Sequence, residues 1–195
     1  MTTSAGVHAL PPLAEFSAFG ILNGFKRSAE MAQDQATKNW PELRTPTKLV
    51  NGSKVVIAGL GEIGMETARI ALALGMKVSG TKRTVEPMEG GIDEVTTNEG
   101  LPRPAGGRDA VVNTLPGTPY TEKLFNKDIF SAMKPGTVFV NVGRGTVVDE
   151  VALLEALNNG QVSYACLDVF AVEPLPQDSP LWNHPKSWCH RTPRH

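Results

Sequence analysis

A chain of 195 residues is long enough for one domain with a substantial core, or for two small ones. Lys plus Arg total 19 and Asp plus Glu total 20, so the formal net charge of -1 excludes nucleic-acid binding through a broad basic field. Two cysteines, Cys166 and Cys189, exclude a disulfide scaffold, and no apolar run approaches the roughly 20 residues of a membrane helix. With 41% hydrophobic and 20% charged residues, the expectation is a soluble, cytoplasmic domain with no membrane or nucleic-acid partner. Pro11, Pro12 and Glu15 interrupt the apolar residues near the start, and no cationic region precedes them, so no secretory signal is expected.

Residues 7 to 45 read as mostly helical after the Pro11-Pro12 start, with an apolar face of Ala14, Phe16, Phe19, Ile21, Leu22 and Phe25. That face suits a helix packing on its own domain. It also suits an interface with a domain or subunit outside this chain, which would leave apolar surface exposed from residues 14 to 25. Trp40-Pro41 and Thr45-Pro46 close the section, because a residue before proline is pushed out of helical geometry. Lys54-Val55-Val56-Ile57-Ala58 then reads as a strand buried on both faces. A helix is expected from Glu62 to Leu74, stopped by Gly75, and a second strand over Met76 to Gly80.

Residues 85 to 108 are rich in Gly and Pro and predict an irregular connection, with Ile92 to Val95 as a short strand. Strands follow at Ala110 to Asn113, Thr137 to Val142 and Ser163 to Leu167, separated by helices at Lys127 to Met133 and Asp149 to Asn158. Strands alternating with crossover helices imply an α/β, doubly wound parallel sheet of the Rossmann type.

Gly59-Leu60-Gly61-Glu62-Ile63-Gly64 fits the dinucleotide pattern G-x-G-x-x-G between the first strand and its helix. Gly59 allows the tight turn, Gly61 lets backbone approach a pyrophosphate, and Gly64 lets helix and strand pack closely. Glu62 and Ile63 supply amides at the helix N-terminus, where partial positive charge attracts phosphate. An acid about 20 residues later would bind the ribose of NAD. Here Gly80-Thr81-Lys82-Arg83-Thr84 has none; Lys82 and Arg83 can pair with a 2′-phosphate and Thr81 can hydrogen-bond it. NADP(H) is therefore slightly favoured over NAD(H).

The run Lys134-Pro135-Gly136 through Val142-Gly143-Arg144-Gly145 resembles the signature of the D-isomer-specific 2-hydroxyacid dehydrogenases. Val147-Val148-Asp149-Glu150, Leu167-Asp168-Val169-Phe170-Ala171-Val172-Glu173-Pro174 and Asn113-Thr114-Leu115-Pro116-Gly117 extend that likeness. The resemblance implies an oxidoreductase of the glyoxylate/hydroxypyruvate reductase kind, acting on a small 2-hydroxy or 2-oxo acid. By the same resemblance, Arg144 would hold the substrate carboxylate and polarise the reacting oxygen. Glu173 would pair with a catalytic histidine and raise its basicity. Asp168 would contact the nicotinamide carboxamide, while Thr114, Leu115, Pro116 and Val142 would line the cofactor cleft. The family also allows a homodimer through the nucleotide domain. No metal is expected.

The likeness ends abruptly. A buried strand and a Pro-His pair should follow Leu181-Trp182-Asn183-His184-Pro185, but Ser187 to His195 contains no Val, Ile or Leu. These residues are expected not to form that strand, and the break in composition reads as a shift of reading frame near codon 186. His190 and His195 are then bystanders, and His184 matches a structural loop position. The expected organisation is a crossover section at 1–46, a nucleotide-binding domain at 47–186 and an aberrant tail at 187–195, with most of the substrate domain absent. A nucleotide-binding module without turnover, or an inactive gene remnant, is the alternative.

Overall fold

Unbroken Val, Ile and Ala runs make strands that need cover on both faces. In the computed structural model, which describes residues 10–43, 46–85, 90–101, 105 and 107–191, they receive it. Helices α1 (Leu10–Lys26) and α2 (Ser28–Thr37) precede strand β1 (Lys54–Ala58) and helix α3 (Glu62–Ala73). Then come β2 (Lys77–Thr81), β3 (Ile92–Thr96), β4 (Ala110–Asn113), α4 (Lys127–Ala132) and β5 (Thr137–Asn141). Helix α5 (Glu150–Asn158) leads to β6 (Val162–Leu167) and β7 (Ser187–Cys189). The seven strands pair in parallel in the order β3-β2-β1-β4-β5-β6-β7. The chain winds outward from β1 to β3 and then restarts beside β1 at β4, so a crevice opens at the C-terminal ends of β1 and β4. The doubly wound reading holds.

The side-chain period of two divides the core into two layers. Val55, Ile57, Val112, Val138 and Val140 face α1 and α3, where Ile21, Phe25, Ala68 and Ala71 cover them. Val56, Val111, Phe139 and Ala165 face the opposite side, against Phe125, Phe130, Leu153 and Leu157. Phe125, Phe130 and Phe139 form a buried trio with ring centroids 5.1 to 6.2 Å apart. Each such ring or branched side chain contributes about 1.5–3 kcal/mol on burial, so the two layers hold most of the fold's free energy.

Helix α1 belongs to this core, so of the two readings of its apolar face the helix packed on its own domain holds, and residues 14 to 25 are not left as exposed apolar surface. Ala14, Ile21 and Phe25 are buried, and only Phe19 of the large side chains stays open, at 39% exposure. Two glycines decide the outcome. A Cβ at Gly20 would lie 2.8 Å from the Cys166 Cβ, and one at Gly24 would lie 2.4 Å from a Val138 methyl, so the helix backbone rests directly on β5 and β6. The expected continuous helix instead breaks where Arg27 takes a left-handed conformation at φ 53°, and α2 beyond it has no buried residue.

A second correction concerns the end of the sheet. Ser187, Trp188 and Cys189 form the last strand after all, paired with Ala165, Cys166 and Leu167. The Ala165 N–H donates to the Lys186 carbonyl at 2.8 Å, and the His190 N–H donates to that of Leu167 at 3.0 Å. An edge strand is carried by backbone bonds along one side, and it needs fewer aliphatic side chains than a central one. Trp188 rests its ring on Phe19 at 5.9 Å, and the Ser187 hydroxyl donates to the Leu181 carbonyl at 2.5 Å. Residues 192–195, including His195, lie outside the described residues, as do 1–9 of the N-terminal section and 86–89, 102–104 and 106 of the β3–β4 connection.

At the N-terminal ends of the strands, Asp109 accepts hydrogen bonds from Lys134 Nζ at 2.7 Å, from Lys48 Nζ, and from the Lys54 N–H at 2.9 Å. Its side chain is 9% exposed. Burial alone would raise its carboxyl, but the hydrogen bonds from Lys134, Lys48 and Lys54 outweigh it and bring the pKa down to about 2. This cluster ties the start of β4 to the segment entering β1 and to the turn before β5. Among the described residues, no helix is long and apolar enough to cross a membrane.

Candidate functional site

The glycine turn links β1 to α3 at the crevice. Gly59 sits at φ 99°, a conformation that side-chain-bearing residues rarely adopt. Its N–H donates to Thr81 Oγ1 at 3.0 Å, and its carbonyl accepts from Thr114 Oγ1 at 2.5 Å. A Cβ on Gly64 would lie 2.0 Å from the Gly59 carbonyl oxygen, so this glycine serves the close packing of helix on turn. Gly61 differs from both. It caps α3 at φ −86°, within reach of any residue, and a Cβ there would meet nothing within 4 Å. Neither backbone strain nor packing explains this glycine; open space in front of a helix N-terminus does, since it leaves room for a group to reach the amides of the first turn. Glu62 is exposed in that turn, and Ile63 packs partly into the core.

The other predicted cofactor residues gather at the same edge. Thr81 ends β2 fully buried, its hydroxyl donating to Asn98 Oδ1 at 2.7 Å. This corrects the expectation that Thr81 faces a 2′-phosphate: the side chain is spent on holding the turn. Lys82 is half-buried and Arg83 exposed beyond it. Thr114 bridges from β4 to the turn, Leu115 is buried, and Pro116 is exposed. Val142 has its side chain in the α1-facing core and its N–H on the Asn113 carbonyl at 3.0 Å, so it shapes the crevice through its backbone. Asp168 is buried at the end of β6, with its N–H donating to the Asn141 carbonyl at 2.9 Å.

Beneath these loops lies a pair of side chains that sequence reasoning left out of the site. Asn113 and Asn141 end β4 and β5 in register and are both buried. Asn113 Nδ2 donates to Asn141 Oδ1 at 2.8 Å, while their Oδ1 atoms accept the N–H groups of Leu115 (3.1 Å) and Gly143 (3.2 Å) respectively. One pair thus fixes the departure of both loops. The signal was present in Ala110-Val111-Val112-Asn113 and Val138-Phe139-Val140-Asn141, two apolar strands that each end in the same amide.

Arg144 follows this pair and is exposed, with Nη1 donating to the Gly143 carbonyl at 2.7 Å. Gly145 presses on the next loop: its Cβ would fall 1.8 Å from the Phe170 carbonyl carbon. In that loop Glu173 Oε1 accepts the Phe170 N–H at 3.0 Å. The segments carrying Arg144 and Glu173 are therefore in direct contact. No hydrogen bond or ion pair joins Glu173 to a histidine among the described residues. His190 lies at the end of β7 with its ring stacked on Phe16 at 5.6 Å. His184 sits before β7, at the far end of the sheet, where its Nδ1 accepts the Lys186 N–H at 3.2 Å. Burial and the Lys186 charge hold the His184 pKa below its ordinary value, in keeping with a neutral ring in a structural loop. Among the described residues, no group of three His, Cys, Asp or Glu is placed to hold a metal.

Residues 19–193 match the family described as D-isomer specific 2-hydroxyacid dehydrogenase, NAD binding domain. The chain belongs to this family. It is 33% identical over 174 residues to glyoxylate/hydroxypyruvate reductase A of Yersinia enterocolitica, covering 89% of this chain and 55% of that protein. A D-isomer specific 2-hydroxyacid dehydrogenase from Xanthobacter autotrophicus Py2, solved in complex with NADPH and MES, superposes with a TM-score of 0.85 at 34% identity, over 94% of this chain and 57% of the other. An NADPH-dependent glyoxylate/hydroxypyruvate reductase from Sinorhizobium meliloti, in complex with NADP and sulfate, gives a TM-score of 0.85 at 29% identity, over 95% and 59%. The chain thus spans little more than half the length of these relatives. The glycine turn, the paired Asn113 and Asn141, and the Arg144 loop all fall within the matched residues.

Proposed function

We propose that this chain is the coenzyme-binding part of a reductase of small 2-oxo acids, glyoxylate or hydroxypyruvate among them, that takes NADP(H) in preference to NAD(H). The reading is carried by one observation: behind a built glycine turn with free space at Gly61, β2 ends in a buried Thr81 followed by Lys82 and Arg83, with no acid at that place. A ribose 2′-hydroxyl would find no carboxylate there, whereas a 2′-phosphate would find two cations. On the turn that Gly59 shapes, Gly61 and the amides of Glu62, Ile63 and Gly64 would hold the pyrophosphate, and Thr114, Leu115, Pro116, Val142 and Asp168 would border the nicotinamide end. The bound nucleotide supplies the hydride for reduction of the keto group.

The protein's own groups have complementary tasks. Arg144, exposed at the mouth, would clamp the substrate carboxylate and keep the reacting carbonyl oriented. Glu173 would stabilise the charged form of a histidine that donates the proton to the developing alkoxide. Under this reading α1 through β7 form one nucleotide domain to which a substrate domain would attach, and the protein works in the cytoplasm as a homodimer. Trp40 and Leu43, 93% and 86% exposed beyond the unburied helix α2, support a subunit contact there.

The testing experiment is thermal unfolding of the purified chain alone, with excess NADH and with excess NADPH. A ligand bound only by the folded state raises the midpoint. The larger rise is expected with NADPH, and Arg83→Ala should erase the difference; a larger rise with NADH would overturn the preference. A second reading, a nucleotide-binding module without turnover, is favoured by the absence, among the described residues, of a histidine bonded to Glu173. Stoichiometric NADPH binding with no oxidation on addition of glyoxylate or hydroxypyruvate would establish it.

A further inference from the structure

The Gly59 amide is the first donor after β1, and its partner on the neighbouring strand β2 is a side chain instead of a backbone carbonyl. It reaches the Thr81 hydroxyl at 3.0 Å. A hydroxyl has one proton and two lone pairs, and it accepts from Gly59 well only if its proton points elsewhere. Asn98 Oδ1 takes that proton at 2.7 Å. Asn98 itself is held by the short 3-10 turn Asn98–Gly100 that follows β3, where the Leu101 N–H donates to its carbonyl at 3.1 Å. On the opposite side, the Gly59 carbonyl accepts from Thr114 at 2.5 Å. Gly59 is therefore clamped at its N–H by Thr81, at the end of β2, and at its carbonyl by Thr114, just after β4.

We propose that Asn98 is a positioning residue for nucleotide binding, which sets the glycine turn by orienting the Thr81 hydroxyl toward the Gly59 amide. Given the nicotinamide-nucleotide reading on which it rests, this makes β3 and its following turn part of the binding machinery, although nothing in the sequence there resembles a nucleotide motif. Removing Asn98 frees the Thr81 proton to rotate toward other acceptors. The Gly59 N–H then loses its fixed partner and the turn samples geometries that misplace the α3 amides.

Calorimetric titration with NADH and NADPH tests this on the unaltered chain and on two pairs of variants, each checked for a cooperative unfolding transition without ligand. Asn98→Ala and Thr81→Val should weaken both nucleotides by about 4- to 12-fold, the worth of one oriented hydrogen bond. Asn98→Asp keeps the accepting oxygen and Thr81→Ser keeps the hydroxyl, so both should stay within about twofold of the unaltered chain for NADH. A purely structural role would lower the unfolding midpoint without changing the affinity of the folded chain, and that result overturns the proposal. Equal weakening in the conservative and the disruptive variants overturns it too. Because the two disruptive variants sit on different elements, failure of one to fold leaves the other to decide. If the unaltered chain binds neither nucleotide, the nicotinamide reading fails with it, an outcome distinct from binding that the variants leave untouched.

Discussion

The two ends of the parallel sheet solve opposite problems with opposite chemistry. At the N-terminal ends a buried carboxylate, Asp109, collects Lys48, Lys134 and the Lys54 amide, and the charges are consumed in holding segments together. At the C-terminal ends the paired side chains are neutral, buried Asn113 with buried Asn141 and buried Thr81 with half-buried Asn98, beside the buried carboxylate of Asp168. There the cations Lys82, Arg83 and Arg144 are placed outward. A buried amide pair can orient two loops without the desolvation penalty of a buried charge. Charged groups thus hold the N-terminal ends together, whereas three cations stand at the candidate site.

Four substitutions break or sharpen this contrast, in descending order of effect. Gly145→Ala drives a Cβ into the Phe170 carbonyl and should cost about 3 kcal/mol or more in urea unfolding, because backbone on both sides must move. Asn141→Leu strands the Asn113 Nδ2 and the Gly143 amide, with an expected loss of about 2–3 kcal/mol. That variant should also bind nucleotide poorly, since both loops lose their anchor; unchanged affinity in calorimetry would show that the anchor is local to stability.

Asp109→Asn should be milder, about 1–2 kcal/mol, because Lys48 and Lys134 are half-exposed and screened. It should leave nucleotide affinity untouched. The Asp109 carboxyl is lowered to about 2 in the folded chain, so its contribution is present above the ordinary carboxylate value near pH 4 and is lost as pH falls toward 2. The stability gap between Asp109→Asn and the unaltered chain should therefore close across that window, as read by unfolding at stepped pH. Asp149→Ala removes the cap that accepts the Val151 and Ala152 amides and should cost about 1 kcal/mol. A loss above that would mean that α5 also relies on the Lys123 ion pair at 3.9 Å.

Much of this architecture is legible in the sequence. Strands β1 and β4, the glycine turn and the helix after it follow from short-range rules, namely apolar runs, a Gly pattern and caps, that act within a few residues. The Asn113–Asn141 pair was less legible because it joins residues 28 apart in sequence, and only their shared register makes them neighbours. Thr81 was misread for a similar reason. Its side-chain chemistry suits a phosphate, but its position on β2 points it at Gly59 and Asn98. The tail was misjudged because side-chain composition predicts central strands, whereas Ser187 to Cys189 is an edge carried by backbone bonds.

By itself, then, the sequence determined the α/β alternation, the dinucleotide turn and the likeness to the 2-hydroxyacid dehydrogenases, all encoded in local spacing. The tertiary structure alone decided that α1 lies on β5 and β6, that β7 forms, and that Thr81 is a strut instead of a ligand. Those outcomes depend on which residues meet across the sheet, and parallel strands separated by whole crossovers carry no local record of their partners.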